Sequence, residues 1–275
     1  MARIQFENRA GIRLTGNLEK PENGPIRASA LFAHCFTCGR DLRAARQITA
    51  SLAESGIAVL RFDFTGLGES EGDFADTSFS SNLDDLEDAA NWLGEQIEPP
   101  RLLIGHSLGG AAVLAVAERL DSVFAVVTIG APSTPENVLR HFGEDGLEEI
   151  EREGSAEVSL AGRAFRIRKD FVDDARSHDL NTRVAGLKRA LLVMHSPLDE
   201  VVSIDHAGKI FAAARHPKSF ISLDRADHLI RDPADAVYVA RIISAWAGRF
   251  LQIDEGSAST SASEGRPTPK SSNRE

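Results

Sequence analysis

The chain is poor in cysteine, poor in aromatic side chains other than phenylalanine, and short of positive charge. Its only cysteines are Cys35 and Cys38, so no disulfide framework can hold it and stability must come from a core. Lys and Arg number 31 against 41 Asp and Glu, a net charge of −10. That balance leaves no broad basic face, which excludes nucleic acid and anionic membrane as main partners. No apolar run approaches the roughly 18–20 residues that span a bilayer, and the first ten residues lack the apolar stretch of a signal peptide. The resulting expectations are a cytoplasmic protein with no membrane span and a small uncharged or cationic molecule as its partner.

What is present suffices for one large α/β core, since 42% of the 275 residues are hydrophobic. From about Ile26 to Trp246 apolar runs alternate with helix-forming stretches, the pattern of a mostly parallel central sheet with helices on both faces. Strands are expected near 28–33, 58–62, 102–104, 125–129, 190–194 and 220–223. Helices are expected near 42–55, 82–96, 108–120, 205–214 and 234–251, the second capped by Ser80 or Ser81. Ile4 and Phe6 before Gly11, with Ile12 and Leu14 after it, read as an antiparallel hairpin leading into the sheet. About residues 133–186 interrupt the alternation and read as a small cap: Val138, Leu139, Phe142, Leu147 and Ile150 have helical spacing, and 156–171 could hold a hairpin and a helix start. Residues 1–255 then form one domain, and 256–275, rich in Ser, Thr, Pro and charge, a disordered polar tail.

The most informative run is Arg101-Leu-Leu-Ile-Gly-His-Ser107-Leu-Gly-Gly, which passes from an apolar strand into an alanine-rich helix. Gly105-His106-Ser107-Leu108-Gly109 at that junction has the form of a nucleophile elbow. A serine hydroxyl is a poor nucleophile at neutral pH, so it must stand on a sharp turn where a base reaches it and backbone N–H groups hold the oxyanion. Among eight histidines, His228 follows the last core strand, where the base is due in the order serine, acid, histidine. His206 and His216 read as surface residues. The orienting acid should leave the end of the preceding strand, as Asp199 does, with Asp224, Asp227 and Glu200 as rivals. His195 beside that turn reads as structural. The oxyanion hole would use the Leu108 N–H and one donor from His34-Cys35-Phe36-Thr37, Phe36 being preferred with Cys35 and Thr37 as alternatives.

Ala33-His-Cys-Phe-Thr-Cys, Phe62-Asp-Phe-Thr-Gly66-Leu-Gly68-Glu-Ser70, the elbow, Asp199 and His228 together resemble the α/β-hydrolase superfamily over about residues 25–250. Within it the chain resembles lipase and serine-aminopeptidase-like esterases. More narrowly, it is similar to the hydrolase subgroup often fused to a C-terminal OsmC-type peroxide-reducing domain; the polar tail begins about where such a fusion would continue, so the chain is expected to be either a stand-alone member or a fragment. The resemblance implies the α/β-hydrolase fold, Ser107 as nucleophile, Asp199 as orienting acid, His228 as general base and the Phe36 and Leu108 N–H groups as the oxyanion hole. It also implies a functional association with an OsmC-type protein. Two departures stand out. Cys35 replaces the glycine that usually follows the histidine, so the loop must do without a freely positive φ, and Thr65 replaces an arginine common among relatives.

Cys35-Phe-Thr-Cys38 is formally C-x-x-C, but without a thioredoxin-like setting or a second pair to complete a zinc site it reads as two small buried thiols. Were the pair to oxidise, it would clamp the oxyanion loop. The expected protein is a cofactor-free, metal-free serine hydrolase of small to medium carboxylic esters acting through an acyl-enzyme. Alternatives are thioester or amide hydrolysis, a perhydrolase or peroxide-linked role, and a non-catalytic ligand-binding module. The cap would set acyl size, with Phe142, Phe165 and Phe171 either lining the pocket or packing beneath it.

Overall fold

The computed structural model describes residues 1–36, 38–160 and 162–251. The expected tail at 256–275 lies outside the described residues. The first hairpin pairs β1 (Ala2–Glu7) with β2 (Arg13–Glu19), Phe6 opposite Leu14. The sheet continues with β3 (Ala28–Ala33), β4 (Ile57–Phe62), β5 (Leu102–His106), β6 (Ala125–Ile129), β9 (Ala190–His195) and β10 (Lys218–Ser222). Its order is β1-β2-β4-β3-β5-β6-β9-β10, parallel except that β2 runs antiparallel to both neighbours. This is the mostly parallel sheet expected from the alternation, in the α/β-hydrolase fold that the resemblance implies.

Every residue of β3, β4, β5, β6 and β9 is buried, because helices cover both faces of the sheet and continuous apolar runs can form strands there. Pleating sorts β3 between two cores. Ala28, Ala30 and Phe32 face α1 (Arg43–Glu54) and α8 (Pro233–Leu251), whereas Leu31 and Ala33 face α2 (Phe79–Gln96), α3 (Leu108–Val116) and α7 (Ile204–Ala213).

Three differences from the sequence reading have a clear physical reason. Ser78, not Ser80 or Ser81, caps α2: its hydroxyl accepts from the Ser81 N–H at 3.0 Å while the Ser81 hydroxyl accepts from the Ser78 N–H at 2.8 Å. Ser80 is instead engaged by Asp174. The helix expected over 108–120 is α-helical to Val116 and finishes as a 3₁₀ turn over Ala117–Arg119. β10 begins two residues early, at Lys218, because it is an edge strand paired only with β9; half-buried polar residues extend it beyond its apolar stretch.

Strand order reverses between β3 and β5, since the chain leaves β3 toward β4 and returns to lay β5 on the other side. Ligand sites in open α/β sheets lie at the carboxyl ends of strands beside such a reversal. Between β6 and β9 the chain makes a long excursion: a 3₁₀ segment (Pro135–Phe142), α4 (Gly143–Glu153), the hairpin β7 (Ser155–Leu160) with β8 (Arg163–Arg168), α5 (Lys169–Ser177) and α6 (Leu180–Ala185). It is tied to the sheet-covering helices through Asp174, which accepts from the Ser80 N–H at 2.8 Å and hydroxyl at 2.6 Å.

Candidate active site

Ser107 stands at the tip of β5 with φ 55°, one of three non-glycine residues at positive φ among the described residues. The turn is possible because its flanks carry no side chains. A Cβ at Gly105 would collide with the Gly109 carbonyl, and one at Gly109 with the Ala33 carbonyl. The Ser107 N–H is anchored to the Ile129 carbonyl at 2.9 Å, which ties the strained turn to β6.

The ends of β9 and β10 bring the other two side chains to it. Asp199 lies in the loop after β9 and His228 in the loop after β10. The His228 Nδ1–H donates to Asp199 Oδ2 at 2.7 Å, and its Nε2 accepts from the Ser107 hydroxyl at 3.0 Å. The other carboxylate oxygen, Oδ1, accepts from the N–H groups of Val201 at 2.9 Å and Val202 at 2.8 Å. Burial alone would raise the Asp199 pKa, but the His228 hydrogen bond and these backbone donors outweigh it and hold the carboxyl below its ordinary value. A charged acid therefore fixes the imidazole tautomer with its lone pair toward Ser107.

The rivals sit elsewhere: Asp224 accepts from the Ser222 hydroxyl at 2.6 Å, and Asp227 from the Arg231 N–H at 2.9 Å. Glu200 lies on the wall of the cavity described below. His216 is exposed; His206 is half-buried, its Nδ1 accepting from the Ser133 N–H at 3.1 Å, so only the first is a plain surface residue.

Three further imidazoles support this arrangement, and only one of them, His195, was read as structural beforehand. The buried His106 ring, next to Ser107 in sequence, donates from Nε2 to the His228 carbonyl at 2.6 Å. Burial, then the proximity of His228, pushes its pKa down to about 4, so it is neutral and bound to the main chain of the histidine loop. His195 donates from Nε2 to the Val202 carbonyl at 2.8 Å, bracing the turn that presents Asp199. His34 donates from Nδ1 to the Cys35 carbonyl at 2.7 Å. Burial lowers the pKa of both.

The loop after β3 shares a cavity lining with Ser107. The Phe36 and Leu108 N–H groups have no acceptor among the described residues. Cys35 is absent from the positive-φ residues, so the loop holds a dihedral that a side chain tolerates. Cys35 and Cys38 are not two free thiols: they form a disulfide with Cα atoms 5.3 Å apart, which corrects the expectation of reduced buried cysteines. The next residue but one is also fixed. The Arg40 N–H donates to Asp63 Oδ1 at 2.7 Å, and its guanidinium is ion-paired to Asp63 and Glu69. Asp63 further accepts from the Glu69 N–H at 3.0 Å, so Phe62-Asp-Phe-Thr-Gly-Leu-Gly-Glu-Ser serves to brace the loop from behind. Thr65, in place of an arginine, is buried with its N–H and hydroxyl on Asp85 at 2.9 and 3.1 Å. Thr37, the alternative donor, lies outside the described residues.

Ser107 and His228 open into a cavity of about 630 Å³. Its apolar wall includes Phe36, Leu160, Leu198 and Val201; His141 and Ser159 reach it from the excursion and Arg225 from the histidine loop. Phe142, Phe165 and Phe171 do not line it. They are buried in an aromatic cluster beneath the loop, with Phe36 ring centroids 5.3 Å from Phe171 and 5.4 Å from Phe74, and Phe74 5.0 Å from Phe165. His141 carries no periodicity signal and Arg225 no motif, so neither could be singled out from the sequence.

The sheet order, the strained serine and the histidine behind it are those of an α/β hydrolase, and the model of the alpha/beta hydrolase family matches residues 30–258: the chain belongs to that family. Among solved structures it is similar to the esterase domain of a Rhodothermus marinus protein, 45% identical, with a TM-score of 0.74 over 91% of this chain and 98% of that one. The mitochondrial palmitoyl-protein thioesterase ABHD10 of Rattus norvegicus is 28% identical over 190 residues, 66% of this chain and 62% of the relative. The uncharacterized protein YfhR of Salmonella typhimurium is 27% identical over 216 residues, 76% of this chain and 66% of the relative. The chain thus spans about two thirds of the length of these curated relatives. Among the described residues no helix is long and apolar enough to cross a membrane.

Proposed function

We propose that the chain is a cofactor-independent serine hydrolase that cleaves small to medium carboxylic esters through an acyl-enzyme on Ser107. The observation that carries this reading is the line of hydrogen bonds from Ser107 through His228 to Asp199, at 3.0 and 2.7 Å, opening into the cavity. His228 takes the Ser107 proton as the hydroxyl attacks the ester carbonyl. Asp199 stabilises the imidazolium so formed without taking a proton itself. The tetrahedral oxyanion is received by the Phe36 and Leu108 N–H groups, and His228 returns the proton to the departing alkoxide. Water then enters, His228 deprotonates it, and the acyl group leaves as the carboxylic acid.

Residues 133–186 act in this reading as a cap, with His141, Ser159 and Leu160 meeting the substrate. The cap also gives the aromatic cluster its role: it supports Phe36 from below and leaves the width of the cavity to Leu160, Leu198 and Val201. A thioester is the second reading, favoured by the likeness to a palmitoyl-protein thioesterase. The test is hydrolysis of p-nitrophenyl esters from acetate to decanoate beside the matching acyl thioesters. Turnover abolished in Ser107→Ala with a short-chain ester optimum supports the esterase reading; higher specificity constants for long-chain thioesters move the substrate class to thioesters. Turnover that survives Ser107→Ala sinks both.

A further inference from the structure

The Cys35–Cys38 disulfide lies in the loop that offers the Phe36 N–H, and both cysteines share the wall of the cavity that Ser107 opens into. A disulfide with a merely structural task usually ties segments distant in sequence, because stabilisation through loop closure grows with loop length. This one closes a ring of four residues whose ends are already joined by the Cys38 N–H to the Cys35 carbonyl at 3.2 Å. The two sulfurs also differ in access, since Cys35 is buried and Cys38 is half-buried beside the cavity. In thiol–disulfide exchange, which sulfur is attacked depends on access.

We propose that the Cys35–Cys38 disulfide is a thiol–disulfide exchange site inside the substrate cavity, reduced by a small dithiol that enters by the substrate's route, and that reduction slows turnover by loosening the Phe36 N–H. A thiolate of the dithiol attacks the Cys38 sulfur and breaks the S–S bond. Cys35 leaves as a thiolate and takes up a proton. The second thiol of the reductant then attacks its own sulfur in the mixed disulfide and releases Cys38, so the dithiol loses two electrons as a cyclic disulfide and the protein gains two thiols. The loop does not collapse: the Cys35 carbonyl keeps the hydrogen bonds from His34 at 2.7 Å and from Cys38 at 3.2 Å, and the Asp63 brace behind Arg40 is untouched. What is lost is the short covalent ring that sets the peptide plane of Phe36. Losing a whole oxyanion donor costs on the order of 10²–10³ in turnover, so a loosened one costs about tenfold.

The turnover half of this proposal rests on Ser107 acting as a nucleophile, whereas the thiol count does not. The folded chain is equilibrated with dithiothreitol, alkylated with iodoacetamide and weighed by mass spectrometry, and p-nitrophenyl acetate turnover is followed before reduction, after it and after reoxidation. The expected result is two added alkyl groups without denaturant, with kcat about tenfold lower, KM changed much less and full recovery on reoxidation. Prior reaction of Ser107 with a bulky fluorophosphonate slows reduction at least fivefold, because the same entrance is blocked. Alkylation only in denaturant, equal turnover in both states, or reduction at an unchanged rate after phosphonylation would each overturn the proposal. If the oxidised protein turns over no ester, the hydrolase reading fails, while the alkylation count still decides whether the exchange site exists. Cys38→Ser gives a second arm: its turnover should match the reduced protein and ignore dithiothreitol.

Discussion

Two arms meet at Ser107, and they are built from different materials. The arm that would carry protons in the proposed function, Asp199 and His228, is a chain of side-chain hydrogen bonds of 2.7 and 3.0 Å, backed by the neutral imidazoles of His106 and His195. The arm that would receive negative charge is main chain, the Phe36 and Leu108 N–H groups, held by a disulfide, a buried ion pair and a bed of phenylalanines. Chemistry that needs a titrating group must use a side chain, whereas chemistry that needs only a fixed dipole can use the backbone and spend its side chains on rigidity. The first arm fails by losing a group; the second fails by losing a position.

Mutation should separate these failures. The largest effect is expected in the proton-carrying arm: Ser107→Ala lowers ester turnover at least about 10⁴-fold, and Asp199→Asn about 10³–10⁴-fold by presenting the wrong tautomer of His228, with thermal midpoints little changed for Ser107→Ala. A burst assay with p-nitrophenyl acetate reads both. The opposite signature belongs to the other arm. Asp63→Asn removes the buried partner of the Arg40 guanidinium and leaves it the half-exposed Glu69, which is expected to cost about 2–3 kcal/mol in urea unfolding, together with turnover. If that variant unfolds at the wild-type urea concentration, the ion pair does not brace the loop.

A subtler test uses pH. His106 is neutral in the fold, its pKa lowered from 6.5 to about 4, so below pH 6.5 the unfolded chain binds a proton that the folded chain refuses. Its contribution to stability is present above pH 6.5, falls with acidification, and is lost in full below about pH 4, a span of about 3 kcal/mol. His34 and His195 add slope of the same sign, since burial lowers their pKa as well. Urea midpoints measured from pH 7 to 4 should fall more steeply in the wild type than in His106→Asn. Equal slopes would mean that His106 is not the neutral buried ring described here. The smallest effect is expected at the cavity wall. His141→Ala should change the ratio of acetate to octanoate specificity constants only about three- to tenfold, since a wall contact is worth about a kcal/mol.

The same division explains what could be read in advance. The parallel sheet was legible because strands buried on both faces are written as unbroken apolar runs, and β6 was placed to the residue. Ser107, Asp199 and His228 could be singled out because fold order constrains where a serine, an acid and a histidine can fall, and the structure brings the three side chains within hydrogen-bonding distance. Edge strand β10 was misplaced because it mixes polar and apolar residues. The backbone arm left only spacing to read, and the disulfide was resisted for lack of a familiar setting. Asp63 and Arg40, 23 residues apart, carry no local sign that they meet. For the phenylalanines of the excursion the sequence left lining the pocket and packing beneath it both open, because helical spacing marks an apolar face without naming what it meets.

Ser107 and His228 are separated by 121 residues, and His228 and Asp199 by 29, yet none of the three has a local reason to approach the others. They come together only when β5, β9 and β10 have closed into one sheet, a set of non-local pairings that folds late because loop closure must precede the contacts that reward it. A chain still emerging during synthesis, or one partly unfolded by heat, holds all three residues without the hydrogen bonds that join them. On the proposed function, turnover would therefore report completed folding. In a refolding experiment, helical circular dichroism should return before ester hydrolysis, and the lag between them times the closing of the sheet.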